Sequence, residues 1–118
     1  MEKIRYHMVI EDSTTWLDYF EKDKTKHAFI LETLIKEDKI VICGYTLAEI
    51  LKDIKDKETF EKPLKCFLAL SYVEIEKEDW IKASRFVFRN KKLTLEKALL
   101  KVLSQKWNLE VLQGAKND

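Results

Sequence analysis

One proline and two glycines are all that 118 residues contain, and no Asn-Gly or Asp-Gly pair stands between any two apolar runs. That absence argues against strands joined as hairpins. Cysteine is almost as scarce. Cys43 and Cys66 both lie in apolar surroundings, with no second Cys or His at zinc-ligand spacing, so they read as reduced core thiols rather than as a metal site or disulfide framework. His7 and His27 stand alone, and no serine has triad partners around it. No apolar stretch approaches the roughly 20 residues of a membrane span. The opening MEKIRYHMVIEDS lacks a signal-peptide block, and a cytoplasmic protein without membrane contact is therefore expected.

Charge of one sign is missing too. Twenty-two basic residues nearly cancel 21 acidic ones to leave +1, so no global field draws the chain to nucleic acid and any such contact must be local. Only three of the basic residues are Arg, whereas Lys and Glu abound. Heat-adapted proteins share that bias, and genome base composition also produces it. What is present is a globular composition, 46% apolar and 36% charged, at a length that buries one core. A single domain over residues 1–118 is the expectation.

Short β-branched runs alternate with helical periodicity. Residues 6–11 (YHMVIE) read as a buried strand closed by Asp12, Ser13 and Thr14. A short amphipathic segment follows over 15–21, and Ala28, Leu31, Leu34 and Ile35 then recur at helical spacing. Residues 40–43 form a second strand, Gly44 permits a sharp turn, and Thr46 opens a third helix with Leu47, Ile50, Leu51 and Ile54. The charged stretch 52–62 reads as a helix end and solvated connection, with Pro63 in the first turn of a helix reaching residue 70. Residues 72–75 are a third strand. A helix over 78–90 follows, with Trp80, Ile81, Ser84, Val87 and Phe88 inward. The most regular helix spans 94–106 through Leu95, Ala98, Leu99, Val102 and Leu103, and a fourth apolar run covers 109–112. The pattern predicts a three-layer α/β/α fold around a mostly parallel sheet of about four strands. Chemistry is then to be sought beyond the carboxyl ends of the strands.

Three places carry suitable groups. Asp12 ends the first strand beside small hydroxyls, where it either caps the next helix or offers oxygen to a hard cation. Glu49 stands three residues past Thr46, as in a capping box, or alternatively points over the sheet to join Asp12 around a metal. Thr94 caps a helix that places Lys97 in its first turn, against the helix dipole. The basic and aromatic segment from Arg85 to Lys92 is either an RNA contact or, as is commoner, a helix end with cations on the dipole and Phe toward the core.

Taken together, Asp12-Ser13-Thr14-Thr15-Trp16, Thr46-Leu47-Ala48-Glu49-Ile50-Leu51 and Leu95-Glu96-Lys97-Ala98-Leu99 resemble the three signatures of PIN domains of the VapC toxin type, and the resemblance extends from Met8 to Leu112. It implies a magnesium- or manganese-dependent ribonuclease whose clustered acids hold the cation and ready a water. Asp12 and Glu49 then match the first two acids. The third falls at Lys97 and the fourth at Ala115, so the quartet is degenerate. Glu96 and Asp118 are the residues able to restore it. Alternatively the Lys97 ammonium replaces the ion between Asp12 and Glu49, or simply reaches solvent. Fewer carboxylates hold a cation less tightly and in a less fixed position. Two functions follow: a PIN-like domain with lost or weakened cleavage that binds RNA or a partner, or an active toxin-like endoribonuclease. The resemblance also implies an antitoxin-like partner and a homodimer, for which Trp16, Tyr19, Phe20 and Phe29 are candidates if they are not core.

Overall fold

The computed structural model describes residues 8–21 and 25–111. Among them four short strands, β1 (Val9–Ile10), β2 (Ile40–Cys43), β3 (Ser71–Val73) and β4 (Glu110–Val111), alternate with six helices. These are α1 (Ser13–Phe20), α2 (Lys26–Lys36), α3 (Gly44–Leu51), α4 (Lys57–Ala69), α5 (Lys77–Arg89) and α6 (Leu95–Trp107). All strand pairs are parallel in the order β3-β2-β1-β4, with Val9 opposite Ile40 and Glu110, and Val41 opposite Ser71. Of the expected first and last strands, residues 6, 7 and 112 lie outside the described residues.

Side chains alternate across a strand, so β2 feeds two cores at once. Ile40 and Ile42, with Val9, pack against Trp16, Leu31, Ile50 and Phe67 from α1 to α4. Val41 and Cys43, with Ile10, meet Leu100 and Leu103 of α6 on the opposite face. Behind α6, Ala83 of α5 packs on Ala98, Leu99 and Val102. This is the expected three-layer α/β/α architecture. Trp16 is fully buried, stacked on Phe20 and edge-on to Phe67, and so is core; Phe29 is exposed. Cys43 and Cys66 are free thiols, and burial pushes Cys66 up. No helix among the described residues is long and apolar enough to cross a membrane.

Three local expectations are corrected. First, α4 starts at Lys57, so Pro63 is the seventh residue of a helix rather than part of its first turn. Charges dominate the preceding turns and hide the helical period there; Pro63 removes one N–H from the helix ladder, and its ring is buried. Second, α3 begins at Gly44 itself, whose φ is not positive. The glycine serves close approach instead of a turn: a Cβ on it would lie 2.6 Å from the Tyr72 hydroxyl. Third, α5 turns a different face inward. Asp79 and Ala83 are buried and Val87 packs beside them as expected, whereas Trp80, Ile81, Ser84 and Phe88 are exposed.

Candidate functional site

The carboxyl ends of β1 and β2 hand the chain directly to α1 and α3, and the start of α6 comes up beside them. Glu96, in the first turn of α6, is the group that joins all three. Its Oε2 accepts from the Ser13 amide at 2.9 Å and the Thr46 hydroxyl at 2.7 Å, while its Oε1 accepts from the Ser13 hydroxyl at 2.7 Å. Thr46 is fully buried, and the Cys43 thiol donates to its oxygen at 3.7 Å. A carboxylate at this place also sits favourably against the amino ends of the helices.

Asp12 caps α1, its Oδ1 accepting from the Thr15 amide at 3.1 Å. Thr14 is exposed on the first turn of that helix. The capping box expected of Thr46 and Glu49 does not form, because the residue before α3 is Cys43 and the Thr46 hydroxyl is committed to Glu96. Glu49 instead lies 3.5 Å from the Lys52 ammonium. Lys97 contributes its amide to the Thr94 cap at 3.1 Å, and its side chain makes no ion pair with Asp12 or Glu49 among the described residues. One step along a helix rotates a side chain by about 100°, and it is Glu96 that faces Ser13 and Thr46. Ala115 and Asp118 lie outside the described residues.

Sequence reasoning missed two groups. Glu11 is 1% exposed and neither carboxyl oxygen has a hydrogen-bond partner. Burial, and then the neighbouring Asp12 charge, push it up to about 8, while the nearby Thr15 hydroxyl and Asp12 amide pull weakly the other way. A carboxylate closing an apolar run was the available signal. Tyr45 is the second: burial, then the carboxylates of Glu49 and Glu96, raise its phenol.

Among the described residues no three His, Cys, Asp or Glu side chains already converge as a metal cage. The donor set is nonetheless all oxygen, the chemistry that magnesium and manganese accept. Asp12 retains one carboxylate oxygen outside its cap bond, and Glu96 Oε1 accepts a single hydrogen bond.

A parallel four-stranded sheet with helices on both faces defines a class, and the solved structures make that class specific: the fold is PIN-like, of the VapC type. A toxin-antitoxin complex from Klebsiella pneumoniae matches with a TM-score of 0.73 at 16% identity, over 93% of this chain and 88% of that one. VapC20 of Mycobacterium tuberculosis, described as a sarcin-ricin loop cleaving toxin, matches with a TM-score of 0.71 at 10% identity, over 92% of each chain. At these identities the likeness is one of fold. No family model and no curated protein matches the sequence.

Proposed function

We propose that this chain is a PIN-like, VapC-type domain that binds RNA in the cytoplasm and in which metal-dependent cleavage is weakened or lost. The observation that carries the reading is the Glu96 carboxylate, fastened by three donors to Ser13 and Thr46. A carboxylate so engaged has fewer lone pairs for an ion, and the charge of Glu49 is partly offset by Lys52. Magnesium or manganese, when bound, would be held by Asp12 with Glu49 or Glu96, and it supplies charge that polarises a phosphate and acidifies a water. An ion held by so few acids keeps more water and is bound weakly.

An active endoribonuclease is the second reading. It is favoured by one fact: a long Glu side chain reaches Ser13 and Thr46 although the residue at the third acid position is a lysine. Ser13, Thr14 and Thr46 then line the site, and Asp118 is a further candidate acid. An antitoxin-like partner belongs to either reading, by analogy with the Klebsiella toxin-antitoxin complex, and a homodimer is compatible with both.

Incubating the full chain with single-stranded and structured RNA, in manganese and in chelator, separates the two. Binding that persists in chelator, with slow or absent cleavage, is the expected result. Rapid cleavage that requires manganese and disappears in Asp12→Ala would establish the active enzyme instead.

A further inference from the structure

Trp80, Ile81 and Phe88 lie on the outward side of α5, at 39%, 45% and 74% exposure. Trp80 belongs to two adjoining hollows. One, of about 420 Å³, is walled by Gly44, Tyr45, Ala48, Tyr72, Glu74 and Trp80. The other, of about 450 Å³, runs along α5 past Ser84 and Arg85 to Phe88. Tyr45 and Trp80 stack with centroids 5.9 Å apart and planes 29° from parallel, and Tyr72 beside them is 51% exposed. Because Gly44 has no Cβ, the Tyr72 phenol can reach the start of α3.

Charge identifies what this surface is suited to. From Trp80 to Leu95 the sequence carries five cations, Lys82, Arg85, Arg89, Lys91 and Lys92, and no acid, in a chain whose net charge is only +1. All five are exposed, and the Lys91 ammonium lies 5.1 Å from the Phe88 ring centre. The first hollow is different: three of its walls are the rings of Tyr45, Tyr72 and Trp80, Ala48 and Ile75 add aliphatic surface, and its one charged group, Glu74, is negative. Such a hollow repels phosphate and accepts the flat face of a base, with Glu74 available to a base amino group. The hollow also adjoins the acids, since Tyr45 and Ala48 sit on the same helix as Glu49. Bases on aromatic faces and phosphates on neighbouring cations are how single strands are held.

We propose that the outer face of α5 is a track for single-stranded RNA, in which an unpaired base enters the hollow between Tyr45, Tyr72 and Trp80 while the backbone passes along Arg85 toward Lys91. It rests on the RNA-binding function proposed above and supplies that function with a base-specific contact surface.

The test is fluorescence anisotropy of the full chain in chelator, with a short labelled single-stranded RNA and the same backbone lacking its bases. Removing the bases is expected to weaken binding by about five- to a hundredfold, the loss that goes with one stacked base, and Trp80→Ala to do the same. Trp80→Phe should restore most of the affinity. Gly44→Ala, which displaces the Tyr72 ring and deletes no aromatic group, should weaken binding to the base-bearing strand alone. Arg85→Ala should lower the slope of log affinity against log salt by about 0.7.

Equal affinity for the two strands, no effect of Trp80→Ala in a chain whose circular dichroism is unchanged, or no RNA binding at all would overturn the track. So would self-association through Trp80 that RNA fails to displace. Failure of the weakened-nuclease reading appears elsewhere, as rapid Asp12-dependent cleavage in manganese, and leaves binding in chelator untouched.

Discussion

At Glu11 a carboxyl group is enclosed with no hydrogen bond to either oxygen, so its neutral form is the one the fold tolerates. In the unfolded chain it titrates near the ordinary 4.5, and in the fold near about 8, chiefly because of burial. Between those values the unfolded chain releases a proton that the folded chain keeps. Stability from this group is therefore complete below the lower value and is lost as pH rises toward the upper one, by up to about 1.4 kcal/mol per pH unit. Glu11→Gln is neutral throughout and should raise the melting temperature near neutral pH while flattening the profile. Thermal melts from mildly acidic to mildly alkaline pH decide it; a wild-type profile already flat across that window would show that Glu11 ionises without penalty.

Among the elements, α5 and α6 contrast in how much their sequences disclose. Leu99, Val102 and Leu103 are large, apolar and spaced at helical intervals, and all three are buried as the pattern requires. On α5 the large apolar residues mislead. Trp80, Ile81 and Phe88 look inward by type, yet the fully buried positions are small Ala83 and Asp79, which is 3% exposed, with Phe86 and Val87 half-buried beside them. Close helix packing favours small side chains, and a buried acid is legible only once its partner is known. That partner is Lys106 of α6 at 3.0 Å, while the Glu76 amide donates to the same oxygen at 2.8 Å. Burial alone would raise Asp79, but these donors outweigh it and hold its pKa below the usual value. The stability it gives is present above the unfolded pKa and lost as pH falls through the lower, folded one. Lys106 is partly open to water, so Asp79→Ala is expected to cost about 1–3 kcal/mol, read by urea unfolding and reduced when Lys106→Ala is already in place.

Across the whole molecule, the runs that become strands were visible because β-branched residues cluster at Ile40, Val41 and Ile42, and their parallel arrangement followed from the helices between them. The order of the strands was not visible, since local pattern says nothing about neighbours. Of the candidate site residues, Asp12 caps α1 as its pattern suggested, but α3 begins two residues before Thr46, so Glu49 is its sixth residue, and the group facing Ser13 is Glu96 rather than its neighbour Lys97. Helix phase and charge decide this: Lys97 lies about 100° further round α6, and an ammonium cannot accept the Ser13 and Thr46 hydrogen bonds that Glu96 takes. Glu96 binds residues 83 and 50 positions away in the chain, so it fastens α6 to α1 and α3 and its loss is a tertiary event. Glu96→Ala leaves the Ser13 amide and two hydroxyls without their acceptor and should cost about 1–3 kcal/mol, with faster hydrogen exchange at Ser13 and little change at the Lys97 amide, which Thr94 caps. Glu96→Gln is the informative contrast. Its carbonyl can take the Ser13 amide and Thr46 hydroxyl that now share Oε2, and its amide can donate to a reversed Ser13 hydroxyl. The fold should then stay within about 1 kcal/mol of wild type, while any manganese-dependent cleavage falls with the lost charge. If the glutamine variant unfolds as readily as the alanine one, the negative charge itself is what the three helix starts require.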